Sequence, residues 1–182
     1  RFTEKGLMLK SGKELEADII VTATGLNLQM LGGLQLSLDD KPTNIADQMT
    51  YKSAMIENIP NFTWVFGYTN APWTLKCDIA GRFVCRLIKY MDQHQFKVAT
   101  PIDNHNQQVD AGITDEFSPG YIQRAKGLLP RQGKAAPWKL DMHYGRDRKV
   151  LLHDPVDDGI MRVDRAHTAS DSLDTSQISL AS

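Results

Sequence analysis

The sequence predicts an α/β fold in which parallel strands are joined by a long helix. Residues 19–23 form an apolar run that ends at Thr24-Gly25. A short strand that is apolar on both faces is typical of a parallel sheet covered by helices. Apolar side chains then recur three and four positions apart over residues 75–91, which predicts a helix with its apolar side on that sheet.

The first forty residues are predicted to form two extended units. Residues 6–24 contain a Ser11-Gly12 turn signal and are predicted to form a hairpin whose second strand becomes the central strand of the sheet. Alternating leucines over residues 34–38, followed by a polar turn at 39–42, predict a half-exposed strand.

The middle of the chain is predicted to hold a strand, a loop and the long helix. A turn signal at residues 58–61 precedes an aromatic and β-branched strand at 62–67. Its alternate residues Phe62, Trp64 and Phe66 fill one face, so we assign Trp64 to the core rather than to a substrate pocket. A small polar loop then leads into the helix.

The second half of the chain carries weaker signals. The polar residues 96–112 are predicted to form an exposed loop, and residues 121–129 a short helix closed by a proline. Residues 149–153 and 160–163 are predicted to be short strands. From residue 164 to 182 the composition shifts to Ser, Thr, Ala and Asp, which predicts a disordered tail.

Composition excludes several classes of function. The formal net charge of the 182 residues is -1, and the basic residues are not clustered, so we expect neither nucleic acid nor a charged membrane surface as a partner. No apolar run approaches the roughly 20 residues of a membrane-spanning helix, so a cytoplasmic location is expected. Cys77 and Cys85 lie about 12 Å apart on one helix, too far for a disulfide, and the histidine and cysteine spacings predict no metal site.

One arrangement in this pattern is suited to ligand binding. In open α/β sheets, ligands lie at the carboxyl ends of strands. The start of the helix near Thr74 leaves backbone N–H groups unpaired, which suits a phosphate or the polarised carbonyl of a flavin, and Thr69 and Asn70 add donors. The alternative is an ordinary strand-loop-helix crossover capped by Thr74. Spacing alone favours this alternative.

Several stretches of the sequence carry a resemblance to a known family. They are residues 17–29 (ADIIVTATGLNLQ), 59–62 (IPNF), 67–76 (GYTNAPWTLK), 117–121 (FSPGY), 129–133 (LPRQG) and 137–138 (PW). Together they resemble class B flavoprotein monooxygenases of the Baeyer–Villiger type, within the ethionamide-activating group. The combination of Ala-Thr-Gly with Gly-Tyr-Thr-Asn-Ala-Pro-Trp-Thr is more specific than either element alone.

The resemblance implies a fold and a reaction. The fold would be that of a two-dinucleotide-binding-domain, Rossmann-like flavoprotein that holds FAD and NADPH, with residues 1–163 as the carboxyl-terminal part of the monooxygenase domain. In that family, NADPH reduces the flavin, O₂ adds to give a peroxyflavin, and one oxygen atom is inserted beside a ketone or transferred to sulfur or nitrogen.

The resemblance also implies site residues. Those near FAD would be Ala23, Thr24, Gly25, Asn70, Ala71, Trp73, Thr74 and Leu75. Trp73 would also wall the pocket of a small apolar substrate, a ketone or a sulfur compound. From their residue types, Tyr51, Met55 and Trp138 either line the same pocket or belong to the core, and the core is the more common place for such residues.

The departures from the family pattern limit what the chain does alone. It contains no Gly-x-Gly-x-x-Gly fingerprint and no Phe-x-Gly-x-x-x-His-x-x-x-Trp signature, so the main hold on either cofactor is missing. No local motif marks a catalytic residue. We therefore expect an inactive fragment that exposes apolar surface and aggregates when expressed alone. The competing hypothesis is a non-catalytic α/β module derived from such an enzyme.

Overall fold

The computed structural model describes residues 1–114 and 119–165, which contain three α-helices and five small antiparallel sheets. The helices are α1 (Trp73–His94), α2 (Gly120–Arg124) and α3 (Tyr144–Leu152). The strands are β1 (Phe2–Thr3), β2 (Gly6–Met8), β3 (Glu14–Glu16), β4 (Leu36–Leu38), β5 (Lys41–Thr43), β6 (Thr50–Tyr51), β7 (Met55–Ile56), β8 (Val98–Pro101), β9 (Gln108–Gly112), β10 (Arg131–Gly133) and β11 (Met161–Asp164). The sheet orders are β1-β2-β3, β4-β5, β6-β7, β8-β11 and β9-β10.

The predicted parallel sheet is not present among these strands, which pair antiparallel. The hairpin predicted at residues 6–24 forms as β2 and β3, but it ends at Glu16 and the chain then continues without regular structure. Ile19 and Val21, predicted to be buried, are each 82% exposed. A strand buried on both faces needs a neighbour at each edge and layers above and below, and the described residues supply neither to this segment.

The two elements with the strongest local signals formed as predicted. The alternating leucines give β4, and Asp39 and Asp40 both adopt positive φ in the tight turn to β5. The long helix is α1, which extends the predicted 75–91 by a few residues at each end. On its exposed side Arg82 donates to Asp78 at 3.2 Å.

Two hydrophobic clusters form the interior. The first packs α1 against α3 and the β6-β7 hairpin, with Ile79 and Phe83 from α1 meeting Leu151 from α3. The second is built around residues 59–66 and the end of the α2 region, with Trp64 and Leu129 among its members. Residues 62–67 do not form a regular strand, but Trp64 and Phe66 are buried while Thr63 and Val65 are exposed, so the predicted core face is confirmed.

In the second half of the chain, two predictions are wrong, one is confirmed in part and one is confirmed. Residues 96–112 are not simply a loop, because they contain β8 and β9. Residues 149–153 lie mostly in α3 rather than in a strand, and α2 is shorter than predicted. The strand predicted at 160–163 is present as β11, which pairs along its full length with β8. The predicted tail beyond residue 165 lies outside the described residues.

No helix in the described ranges is both long enough and apolar enough to cross a bilayer.

Candidate functional site

The turn that leads into α1 is held by a close contact between a glycine and a tryptophan. An added Cβ on the buried Gly67 would lie 2.2 Å from the Trp73 indole, so only glycine lets the ring fold back against the turn. The same indole lies 5.6 Å from the Phe66 ring, centroid to centroid. Trp73 is still 53% exposed, so one face of the ring is anchored and the other is accessible.

The first turn of α1 is open to a ligand. The helix begins at Trp73 with Pro72 in the N-cap position, and no side chain caps it. Thr74 was considered as the cap, but it lies inside the helix and is exposed. The amide of Leu75 donates to the Pro72 carbonyl at 3.2 Å. Uncapped first-turn amides carry the positive end of the helix dipole and suit an anionic or carbonyl oxygen.

A cavity of about 420 Å³ opens beside the loop that precedes α1. Thr69 and Asn70 form one part of its wall, and a second segment, residues 139–146, forms another. Its lining also includes Ile113 and Gln132. Cavities of this size with a few convergent polar groups are typical of small-molecule sites.

The second wall carries most of the charge of the cavity. Arg146 lies 3.0 Å from a carboxylate oxygen of Asp141, and the backbone N–H of Arg146 donates to the His143 ring at 3.3 Å, which caps the start of α3. Lys139 adds a further cation. On the floor, the Gln132 amide donates to the Gly112 carbonyl at 3.2 Å. The cavity therefore offers both donors and acceptors.

A buried polar cluster lies directly behind the cavity. The Tyr68 hydroxyl and the Lys76 ammonium both donate to the same carboxylate oxygen of Asp147, each at 2.7 Å. Lys76 is fully buried. Burial lowers the pKa of Lys76, and the adjacent Asp147 opposes that shift. Burial, reinforced by the hydrogen bond to Asp147, raises the pKa of Tyr68 far above its ordinary range.

The Ala-Thr-Gly segment lies apart from this turn. Ala23, Thr24 and Gly25 are exposed, and Gly25 adopts the positive φ of 80° that its residue type allows. The segment is attached at its end to α2, where Arg124 donates to the Leu26 carbonyl at 2.8 Å. Within the described ranges, no hydrogen bond, ion pair or ring contact joins residues 23–25 to the turn at Asn70.

Three of the four predicted substrate residues are in the interior. Tyr51, Met55 and Trp138 are between 0% and 2% exposed and belong to the first hydrophobic cluster. The Tyr51 and Trp138 rings meet edge to face at 5.4 Å, and the Tyr51 hydroxyl donates to Asp158 at 2.6 Å. The structure therefore places these three in the core, which was the alternative for their residue types. Only Trp73 presents a surface to solvent.

A second cavity, of about 790 Å³, was not predicted. Leucines line much of it, including Leu28, Leu31, Leu36 and Leu128, and Asn44 lies at its rim. Two sequence signals point to this region in retrospect, namely the alternating leucines of β4 and the apolar end of the Ala-Thr-Gly segment. By contrast, the lining of the smaller cavity at residues 139–146 carries no local motif, and neither does Asp147.

The residues at the smaller cavity fit one end of a flavin. The pyrimidine side of the isoalloxazine ring presents carbonyl oxygens and an N–H group, which match the amide of Asn70 and the other polar groups of the lining. The open first turn of α1 begins three residues after Asn70. No comparable set fits the pyrophosphate of FAD or NADPH, because the sequence lacks a glycine fingerprint.

Comparison with known proteins shows the class of protein to which this chain is related. The chain is homologous to a segment of FAD-containing monooxygenases, which confirms the resemblance carried by its motifs. No family model matches the chain, and no solved structure matches it.

Among these relatives is MymA of Mycobacterium tuberculosis strain H37Rv, named as an FAD-containing monooxygenase and 52% identical over 160 residues. EthA of Mycolicibacterium smegmatis, also named as an FAD-containing monooxygenase, is 44% identical over 158 residues, and AlmA of Acinetobacter baylyi, named as an FAD-binding monooxygenase, is 41% identical over 165 residues. The matches cover 87% to 91% of this chain and 32% to 33% of each relative. The chain therefore spans about a third of the length of the relatives it matches.

Proposed function

We propose that residues 1–163 are the carboxyl-terminal part of an FAD- and NADPH-dependent monooxygenase, with residues 164–182 as its tail. The enzyme would transfer one oxygen atom from O₂ to an apolar ketone or to a sulfur compound. The observation that carries the proposal is the polar cavity beside Thr69 and Asn70, in the loop that precedes the uncapped start of α1. It occurs at the stretch of sequence that the family resemblance assigns to the flavin.

The residues of this chain would bind and orient the ring. Asn70 would hydrogen-bond the pyrimidine side of the flavin, and Ala71, Thr74 and Leu75 would line the approach to the first turn of α1. Bound FAD would supply the two-electron chemistry that O₂ activation requires. The exposed face of Trp73 would close the site toward the substrate and exclude water. We assign no catalytic residue in this chain.

The Ala23, Thr24 and Gly25 segment would complete the site only beside further structure. Its neighbours Ile19 and Val21 are almost fully exposed, and burying them in a sheet would bring the adjacent backbone to a fixed position. Small residues at 23–25 would then allow the close approach to FAD that a bulky side chain blocks. On this proposal, the described residues 1–114 and 119–165 hold only part of the cofactor site.

The substrate is proposed to be small and apolar. The leucine-lined cavity offers a concave apolar surface for such a substrate. Ketone and sulfur substrates remain alternatives, because no described polar group distinguishes between them. A cytoplasmic location remains an expectation from the sequence.

A chimera tests the proposal directly. This chain would replace the segment of MymA that it matches, and the purified protein would be assayed for bound FAD, NADPH oxidation, and products from a ketone and a thioether. We expect a yellow protein in which Asn70→Ala weakens FAD retention. Asn104→Ala, at an exposed position outside both cavities and without the positive φ of Asn106, is the matched control.

The alternative is a non-catalytic α/β module, which the missing glycine fingerprints favour for the chain alone. A folded chimera that binds no FAD, or that retains FAD equally well with Asn70→Ala, would support this alternative and refute the proposed site.

A further inference from the structure

The two segments that line the smaller cavity are joined behind it by one carboxylate. Tyr68 directly precedes Thr69 and Asn70 in the chain, and Asp147 directly follows Arg146. The Tyr68 hydroxyl donates to Asp147 at 2.7 Å. A single hydrogen bond thus connects the turn that forms one wall to the helix that begins at the other.

Lys76 connects a third element to the same point. It lies near the start of α1, and its ammonium donates to the same Asp147 oxygen at 2.7 Å. The ammonium also lies 5.4 Å from the centroid of the Tyr68 ring, within the range of a cation–π contact. The turn, α1 and α3 therefore meet at one atom, and the distance between the cavity walls depends on it.

Stability alone does not account for this cluster. A cation near the start of a helix is opposed by the helix dipole, and a buried ion pair is often no more stabilising than apolar residues of the same volume. The three side chains are nevertheless almost fully enclosed, with exposures of 3% for Tyr68, 0% for Lys76 and 7% for Asp147. What such a cluster provides is a fixed geometry, because each partner is left unsatisfied if the others move.

We propose that Asp147 is a positioning residue that sets the width of the cavity through Tyr68 and Lys76. By fixing Thr69 and Asn70 against residues 143–146, it would hold the flavin ring at the start of α1. The effect on flavin rests on the proposed function above, whereas the effect on the cavity walls does not.

The first test measures the walls without any cofactor. Amide hydrogen exchange would be compared in the 182-residue chain and its Tyr68→Phe variant, which keeps the ring and its edge-to-face contact with Tyr144. The amides of residues 69–74 make no backbone hydrogen bond to any described residue, so the readout is the first bonded amides that follow each wall, Leu75 with residues 77–79 of α1 and residues 146–149 of α3. We expect exchange to rise about 3- to 10-fold at these amides and to stay unchanged elsewhere. Tyr90→Phe is the matched control, because the Tyr90 hydroxyl donates to Asp157 at 3.0 Å, away from the cavity residues.

The second test measures the flavin environment in the MymA chimera. Tyr68→Phe should change the visible circular dichroism of bound FAD and weaken its retention, and Tyr90→Phe should do neither. Asp147→Asn should exceed the effect of Tyr68→Phe at both walls. If Asp147→Asn does not fold, Lys76→Met, which keeps the volume of the side chain, replaces it and should raise exchange at Leu75 and residues 77–79.

The outcomes separate the two proposals. Unchanged exchange in Tyr68→Phe, or a rise spread evenly over the chain, would overturn the positioning role. A local rise at both walls supports it, even if the chimera binds no FAD, in which case only the proposed function fails.

Discussion

The contact between Gly67 and Trp73 makes a sharp prediction for Gly67→Ala. The new Cβ would lie 2.2 Å from the indole, whereas ordinary contacts begin at 3.4 Å, so the ring must retreat by about 1 Å. Trp73 is half exposed and can move outward, which keeps the strain to about 1 kcal/mol. Displacement also loses the contact with Phe66, worth about 0.5–1.5 kcal/mol.

The unfolded state offsets part of this cost. Alanine has fewer accessible backbone conformations than glycine, which stabilises the folded state by about 0.4–1 kcal/mol. The net expectation is a destabilisation of about 0.5–2 kcal/mol for Gly67→Ala. Gly81 provides the matched control, because it lies in the middle of α1 and a Cβ there meets nothing within 4 Å. Gly81→Ala should stabilise the chain by about 1 kcal/mol through helix propensity.

Urea unfolding followed by far-ultraviolet circular dichroism measures both variants, and tryptophan fluorescence reports the indole. The two midpoints should move in opposite directions, and the emission of Gly67→Ala should shift toward that of exposed tryptophan. If Gly67→Ala is as stable as Gly81→Ala, with unchanged emission, the indole does not rest on Gly67 and the proposed wall of the site is wrong.

Three further predictions concern other parts of the fold. Arg86 donates to the carbonyls of Leu151 and Asp154 at the end of α3. Arg86→Met should therefore lower the free energy of unfolding in urea by about 1–3 kcal/mol. The control Arg82→Met, at an exposed ion pair, should lower it by under about 0.5 kcal/mol. Burial, reinforced by Asp158, raises the pKa of Tyr51. The folded state therefore keeps a proton that the unfolded state loses near pH 10, so the free energy of unfolding should fall above about pH 10. The slope of this fall should be shallower in Tyr51→Phe. Ile19→Lys should reduce self-association, measured by light scattering, and leave the urea unfolding midpoint unchanged, because the side chain is 82% exposed. A lowered midpoint would show that Ile19 is buried in the folded chain.

Local signals predicted the elements that depend on local interactions. The period of α1 and the leucine alternation before the 39–42 turn each specify an element within a few residues, and both formed. Residues 149–153 show the limit of such reasoning, because the short apolar run Val150-Leu151-Leu152 suits a strand or a helix equally well. It became helical because Leu151 packs on α1 in the first cluster, which no local pattern reveals. β8 was missed for the same reason, since its partner β11 lies about sixty residues away.

In the candidate site, too, sequence predicted the local part and missed the parts that depend on long-range contacts. The turn from Gly67 to Leu75 was identified from sequence as one unit, because its motif is contiguous. Sequence did not identify the opposite wall of the cavity at residues 139–146. Nor did it identify the Asp147 carboxylate that joins the turn to this wall. Both meet the turn only in the folded chain. The predicted substrate role of Tyr51, Met55 and Trp138 rested on residue type alone, which does not distinguish a pocket from a core.

The exposed segment at 19–25 and the anchored turn at 67–76 differ in what holds them. The turn is fixed within the described residues by Trp73 against Gly67 and by Tyr68 and Lys76 on Asp147. The segment has side chains suited to a central strand but no partner strand within these ranges, so its apolar residues stay in solvent. A cofactor site assembled from both would need the segment to be paired first. Because pairing would bury Ile19 and Val21, it would also supply a hydrophobic driving force for completing the site.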